Sequence, residues 1–471
     1  MAQATNFLEE IKTLFKNSGK SSTLLNAQLN RCTFQKIRQD LRAVHSRSLV
    51  IQLMILMKLM DIPTIHRFMS TEFQKFVPFG KDLLYRIKKN CKINWRKILL
   101  TQSYKSGGEI EQEGKEDASA KTCFIIDDTD LPKRGKCIEF IGRIYSHVTH
   151  KYGLGFKCLN LAYWSGKHLL HVDFTLHVEP GKLGNQGMSK KDLNKRYCKE
   201  RKAESAGYSR TEELFEKKTD SAIKMLRRAM AQGFKAAYIL ADSWFFSQKL
   251  VNFAIQRSIH LVTRPKFNHW KYMFEGKNYT MGELVKKVRY NKRKWNRKLR
   301  MHHVTATIIF KAVHLKVFFY KEKKRGSKWQ AIITTDKSLG ANQAYEIYQN
   351  RWTIEVSYKE LKQHLGFGKC SSRDFDAQIS DITMCLAAYN HLSQVKAVND
   401  YQSIGNLFDE ISRQQLSPTL MQRFWNELYA AIQEIAALVD TNFDVLLKRI
   451  ITSTTFAKNW QRVNLLLTSE T

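Results

Sequence analysis

The chain has 471 residues, with 78 Lys and Arg against 43 Asp and Glu, and a formal net charge of +35. Hydrophobic residues make up 43% of it, a globular composition that excludes a disordered basic tail. The most apolar stretch, residues 49–60, is too short to cross a bilayer and contains Gln52 and Lys58. These features predict a soluble cytoplasmic protein without a membrane partner.

The eight cysteines are scattered along the chain, with no C-x2-C motif and no paired histidines at metal-binding spacing. Structural zinc sites need such clusters of ligands. The pattern therefore favours reduced, mostly buried thiols over a zinc finger.

The positive charge is concentrated in one segment. Residues 264–328 hold 20 basic and three acidic side chains, a net charge of +17, with tryptophans and tyrosines among them. This combination is typical of a surface that binds a polyanion. Nucleic acid is favoured over an anionic membrane because the segment contains no amphipathic anchor helix. Residues 371–471, with a net charge of −3, are expected to contact protein instead.

Apolar periodicity predicts an α/β chain with helical regions at both ends. The first helices fit a helix-turn-helix and a plain helical bundle about equally well. A long helix is expected over residues 341–365. The predicted parts are a helical N-terminal DNA-binding region (1–100), a loop and domain boundary (101–121), an α/β region (122–263), a basic β-rich segment (264–335), a segment with a long helix (336–370) and a helical C-terminal region (371–471).

Two carboxylates follow short apolar runs that predict buried strands. Asp127 comes directly after Cys123–Ile126, and Asp242 follows Ala237–Leu240 by one residue. Strand ends in α/β sheets form the crevice in which ligands bind. A single Asp in such a position more often turns the chain or caps a helix, so neither residue identifies a site by itself.

A third pattern combines Tyr348, Arg351, Glu355 and Lys362. On a continuous helix these residues fall within an arc of about 60°. An Arg–Glu surface pair is one explanation, worth a few tenths of a kcal/mol. The alternative is that Glu355 holds a metal ion while its neighbours hold phosphate.

These motifs together resemble a known family. The D-D-T at 127–129, the L-A-D-S at 240–243 and the Y-x2-R-x3-E-x6-K from Tyr348 to Lys362 are similar to those of bacterial insertion-sequence transposases. The resemblance is to the cut-and-paste DDE family with a Tyr-Arg-Glu-Lys signature, and it covers about residues 120–370. The long gap between Asp242 and Glu355 resembles members that carry an all-β insertion there, which the basic segment 264–335 fits.

The resemblance implies an α/β fold, with an RNase H-like mixed-sheet core, an all-β insertion and helical flanks. It implies that Asp127, Asp242 and Glu355 bind two Mg²⁺ or Mn²⁺ ions for DNA cleavage and strand transfer. Asp128 adjoins the first acid, but neighbours on a strand point to opposite faces, so one of the two faces the site. The Asp-x-Thr motif favours Asp127.

The resemblance also implies five DNA contacts. Arg351, Lys362 and Tyr348 are expected to hold phosphates near the cut, and Arg264 to lie near the flanking DNA. Trp329 is expected to stack on a base displaced from the duplex. The alternative for Trp329 is a core residue at the start of a strand over 330–334.

The expected partners are double-stranded DNA, as transposon ends and as target, and a second copy of the chain. Cutting two ends together needs two active sites, so a homodimeric synaptic complex at the bacterial nucleoid is expected, with residues 371–465 as candidates for self-association. Two other hypotheses remain open from the sequence. One is an inactive DNA-binding protein derived from a transposase, and the other is a metal-dependent nuclease without strand transfer.

Overall fold

The computed structural model of the chain describes residues 47–62, 64–70, 79–113, 121–146, 149–399, 403–409 and 438. The chain divides into two compact units, residues 1–409 and 410–471. All described residues except Leu438 belong to the first unit. Of the predicted C-terminal helical region, most of residues 371–399 form a helix as expected, whereas nearly all of the rest lies outside the described residues.

Within the described residues, four helices precede the first strand, as the apolar periodicity predicts. They are α1 (Arg47–Leu59), α2 (Ile65–Met69), α3 (Lys81–Lys88) and α4 (Trp95–Glu113). The predicted loop over 101–121 is wrong for its first part, because α4 continues to Glu113. Ser and Gly in this stretch have low helix propensity, but tertiary packing overrides it. Ser103 is fully buried, and Ser106 donates to Gln394 Oε1 at 3.2 Å.

Six strands form the sheet that leads to the candidate site. They are β1 (Cys123–Pro132), β2 (Gly142–Ser146), β3 (Lys151–Trp164), β4 (Leu169–His177), β5 (Tyr238–Ala241) and β6 (His260–Thr263). Strands β1, β3 and β4 are antiparallel neighbours, and β2 pairs with the first part of β3. Strands β5 and β6 add in parallel beside β1. This mixed sheet confirms the predicted RNase H-like α/β core.

The basic segment continues the same sheet. Its strands are β7 (Tyr272–Phe274), β8 (Lys277–Tyr279), β9 (Lys294–Asn296), β10 (Met301–Phe310), β11 (Val313–Glu322) and β12 (Gln330–Thr334). Strand β12 pairs with β6, so this segment and the core share one 12-stranded sheet.

The expectation of an all-β insertion needs a correction. A helix, α9 (Met281–Lys292), lies within the segment and begins with a capping box formed by Thr280 and Glu283. Met281, Leu284 and Val288 are buried in the core and recur at helical spacing. The lysines between them make this period hard to see in the sequence. The segment is therefore mixed in structure, although its longest elements are strands.

Further helices among the described residues are α5 (Lys190–Leu193), α6 (Ala206–Glu212), α7 (Lys218–Gln232), α8 (Gln248–Gln256), α10 (Ala341–Gln349), α11 (Trp352–His364) and α12 (Phe375–Asn399). Side chains of α7 and α8 join Phe124 and Ile126 of β1 in the main apolar core. Because side chains alternate along a strand, the odd-numbered residues of β1 point to the other face. Helix α11 packs against β1.

Helix α12 ties the N-terminal helices to the sheet. It packs against α1, α4 and β4, and its buried Asp381 accepts from Lys58 Nζ at 3.0 Å and Lys88 Nζ at 2.7 Å. Burial alone would raise the pKa of Asp381, but the two ammonium groups outweigh it and lower that pKa. The described helices before residue 113 are thus part of one body with the core, and their expected role in DNA binding remains a prediction.

Two findings bear on the kind of protein. The seven described cysteines are all free, but only three of them, Cys123, Cys158 and Cys385, are buried, so the expectation of mostly buried thiols is not met. Within the described ranges, no helix has the length and hydropathy needed to span a membrane.

Candidate active site

Asp127 and Asp242 lie at the same edge of the sheet. The parallel pairing of β1 with β5 ends at Ile126 and Ala241. Asp127 directly follows Ile126, and Asp242 directly follows Ala241. Neighbouring strands lie about 4.8 Å apart, so the two aspartates lie close together at this end of the sheet. The chain at Asp242 is fixed by hydrogen bonds to its carbonyl oxygen, from Phe245 N at 3.0 Å and Thr263 Oγ1 at 3.3 Å.

The two adjacent aspartates of β1 have different partners. Asp127 Oδ2 lies 3.8 Å from Arg351 Nη1 at the start of α11. Asp128 forms an ion pair with Lys218 of α7, on the side of the main apolar core. This alternation places Asp127 on the face that carries Glu355, whereas the Asp128 carboxylate is turned toward Lys218.

The predicted long helix over 341–365 is two helices. Helix α10 ends at Gln349, and α11 begins at Trp352. Between them Arg351 N donates to Tyr348 O and Thr353 N to Asn350 O, in the tighter i to i+3 pattern. Tyr348 and Glu355 therefore lie on different helices, and Arg351 at the junction contacts both.

Arg351 lies between two carboxylates. It is buried, and its Nη2 donates to Glu355 Oε1 at 2.6 Å while its Nη1 faces Asp127. Burial alone would lower the pKa of Arg351, but Tyr348, Asp127 and Glu355 outweigh it and raise that pKa. The guanidinium is thus a fixed positive charge at the position where the two acids converge.

Tyr348 is buried between two guanidinium groups. The Cζ atoms of Arg264 and Arg351 lie 5.3 Å and 5.8 Å from its ring centroid, within cation–π range. Burial raises the pKa of the Tyr348 phenol, and the two cations only partly oppose this. Arg264 also donates to Gln330 Oε1 at 3.0 Å. Three of the predicted DNA contacts are thus brought together.

Lys362 lies on α11 seven residues after Glu355, and its Nζ donates to Thr129 Oγ1 at 2.7 Å. Burial lowers the pKa of this lysine. Thr129 and Lys362 belong to a pocket of about 430 Å³ that contains both carboxylates and basic groups. Its lining residues are Asp127, Asp128, Thr129, Glu355, Tyr358, Lys359 and Lys362.

The donor chemistry of this pocket fits a hard divalent cation. Asp127 and Glu355 supply carboxylate oxygens, which Mg²⁺ and Mn²⁺ prefer. Asp242 is at the neighbouring strand end but does not line the pocket. No three acidic, His or Cys groups among the described residues are grouped closely enough to hold a metal.

Trp329 is half-buried just before β12 and packs against the main apolar core. Such packing is what the structural alternative for this residue predicts. It is separate from the lining of the acidic pocket. Its stacking on a displaced base stays a prediction.

Sequence reasoning missed Tyr358. Its buried hydroxyl donates to the carbonyl oxygen of Asp127 at 3.1 Å and so fixes the backbone at the first acid. The signal was available, because Tyr358 lies three residues after Glu355 and seven after Arg351, on the same side of a helix.

The environment of Asp127 predicts a pH-dependent stability. Burial, with Asp128 and Glu355 adding to it and Arg351 opposing it, raises the pKa of Asp127 from 3.8 to about 7. The folded protein therefore binds this proton more tightly than the unfolded chain. The resulting stability is complete below pH 3.8 and is lost as pH rises through 7.

We therefore expect the melting temperature of the protein in EDTA to fall between pH 5 and pH 8, and Asp127→Asn to reduce that fall. Thermal melts at several pH values measure the difference. Asp128→Asn controls for the general loss of a carboxylate. The same pH dependence in the unaltered protein and Asp127→Asn would contradict the shifted pKa.

Two family matches cover the sheet and the site. Residues 215–391 match the transposase DDE domain, and residues 115–275 match the DDE superfamily endonuclease. Together they run from residue 115 to residue 391 and include all three predicted acids. A search of curated proteins found no match. The Tyr-Arg-Glu-Lys signature of the subfamily remains a prediction.

Proposed function

Because this chain belongs to the DDE-family transposases, we propose that it binds the inverted repeats at the ends of an insertion sequence, cleaves them and joins them to target DNA. One observation supports this most directly. Asp127 of β1 and Glu355 of α11 line one pocket and both lie next to Arg351, beside the strand end that carries Asp242.

Asp127, Asp242 and Glu355 are the residues that would hold two Mg²⁺ or Mn²⁺ ions. Such ions, when bound, activate a water or a 3′-hydroxyl and stabilise the leaving oxygen of an in-line phosphoryl transfer. The protein contributes the rigid placement of these acids. Asp127 is fixed by the sheet and by Tyr358, and Glu355 by the packing of α11 on β1.

The basic groups around the acids would bind the DNA backbone. Arg351 can present a planar fork to a phosphate, and Lys362 a single ammonium charge. Tyr348 is held between Arg351 and Arg264, so these groups form a preassembled cluster. A phosphate that takes Arg351 would release Asp127 and Glu355 for metal binding.

Strands β9 to β11 would contact the duplex outside the cut. The loop that follows β11 carries the exposed Lys323, Lys324 and Arg325, and Trp295 of β9 is 43% exposed. Exposed cations with an aromatic ring among them are suited to sequence-independent contact with phosphates.

A homodimer is part of the proposal, because joining two ends requires two active sites. The candidate segment for self-association, residues 371–465, is mostly outside the described residues. The apolar positions that suggested it include Leu407, which is buried, and Leu438, which is 85% exposed. Ile411, Ile432 and Ile435 lie outside the described residues.

Incubating the purified protein with Mg²⁺ and a plasmid carrying the inverted repeats that flank its gene tests the function. We expect excision and a joined product, and neither in EDTA. Nicking without joining would instead support a metal-dependent nuclease. Specific binding without any cutting would support an inactive DNA-binding protein.

A further inference from the structure

Asn160 of β3 lies directly opposite Asp127. The antiparallel register of β1 and β3 pairs these two residues. Side chains that face each other across antiparallel strands point to the same side, with Cβ atoms about 4.5–5.5 Å apart. Asn160 is therefore on the face that carries Glu355 and α11.

The side-chain amide of Asn160 is buried without hydrogen bonds to the described residues. The residue is fully buried, and neither its Nδ2 nor its Oδ1 has a hydrogen-bond partner among the described residues. Burying an unpaired amide costs free energy, so such groups are rare and call for an explanation. An apolar residue at this position would avoid that cost.

The neighbours on the same face identify what the amide can bind. Along β3 these positions are Cys158 and Ala162, and across β4 they are Phe174 and His171. None of these side chains carries an oxygen, although the ring nitrogens of His171 also lack a partner among the described residues. Across β1 the facing residue is Asp127, whose carboxylate is a strong acceptor for an N–H donor.

Asp127 needs such a donor once Arg351 is engaged elsewhere. Arg351 is already hydrogen-bonded to Glu355 at 2.6 Å and lies 3.8 Å from Asp127. In the proposed function Arg351 moves to a DNA phosphate. The Asp127 carboxylate would then lose the one guanidinium that faces it.

We propose that Asn160 is a positioning residue for Asp127, with its Nδ2 donating to the Asp127 carboxylate when the site is loaded. This inference rests on the proposed function. The amide orients one carboxylate oxygen toward the cation site and leaves the other free to bind. Partners of this kind behind a metal ligand typically change metal affinity or activity by about 10–100-fold.

The test compares Asn160→Leu with Asn390→Leu in the full-length protein. Asn390 is a matched control, because it is also fully buried but its amide is satisfied. Its Oδ1 accepts from His171 N at 2.7 Å, and its Nδ2 donates to His171 O at 2.8 Å. Mn²⁺ affinity is measured by electron paramagnetic resonance of the free ion, and stability by thermal melts in EDTA.

We expect Asn160→Leu to melt no lower than the unaltered protein but to bind Mn²⁺ about 10–100-fold more weakly. Asn390→Leu should melt lower, and its folded fraction should keep the normal Mn²⁺ affinity. Asn160→Thr, which retains a donor, should keep more of the affinity than Asn160→Leu.

Two results would overturn the role of Asn160. One is an unchanged Mn²⁺ affinity in Asn160→Leu, and the other is a melting temperature that falls as it does for Asn390→Leu. Failure of the proposed function is distinguishable, since the unaltered protein would then bind no Mn²⁺ and cut no DNA. That result would remove the role of Asn160 as well.

Discussion

Replacing Asp127, Asp242 or Glu355 singly by alanine should reduce DNA cleavage by about 10³-fold or more, with DNA binding largely retained. Losing one carboxylate misplaces a cation that the reaction requires, and several kcal/mol of transition-state stabilisation go with it. Binding should persist because it depends on the basic groups instead. Cleavage rates and gel-shift affinities, measured on the same preparations, separate the two effects.

Asp128→Ala is the matched control for the first acid. Asp128 adjoins Asp127, but its carboxylate is paired with Lys218 on the other face of β1. Removing a partly exposed ion pair should cost little stability, and cleavage should stay near normal. An inactive Asp128→Ala combined with an active Asp127→Ala would show that Asp128 is the first acid.

DNA binding should weaken by about 10³- to 10⁵-fold between 50 and 200 mM salt, if six to ten phosphates are neutralised. The net charge of +17 on residues 264–328 supplies enough cations for that number. Fluorescence anisotropy with a labelled duplex at several salt concentrations gives the slope of log affinity against log salt.

A triple variant makes this test specific to one surface. Replacing the exposed Lys323, Lys324 and Arg325 by glutamine should lower the slope by up to about three, since each lost phosphate contact removes about 0.9. The fold should be unaffected because these side chains lie in solvent. A flat slope in the unaltered protein would mean that the basic segment does not bind DNA.

Much of the candidate site could be predicted from the sequence because the signals for it are local. A buried apolar run followed by an acid is visible in the residues before Asp127 and Asp242, and parallel strands bring such ends together. Strand alternation predicted that one of Asp127 and Asp128 faces the site, and the Asp-x-Thr motif of the resembled family favoured Asp127. The strand ends could be read from neighbouring residues and one rule of sheet geometry, whereas the assignment of the three acids came from the family resemblance.

Other features depend on partners that are distant in the chain. Helix α4 extends through Ser- and Gly-containing residues because Gln394, nearly 300 residues later, receives one of its hydrogen bonds. The register that places Asn160 beside Asp127 is set by the pairing of two strands. No local pattern around Asn160 distinguishes it from other polar residues in a strand.

The pairing of β12 with β6 has a mechanical consequence. Hydrogen bonds join the strands that carry the basic residues to the strands that lead to Asp127 and Asp242, without a hinge between them. The distance from the acids to the proposed outer phosphate contacts should therefore be fixed by the sheet. We expect the number of base pairs between the cut and those contacts to be constant, whatever the sequence of the DNA.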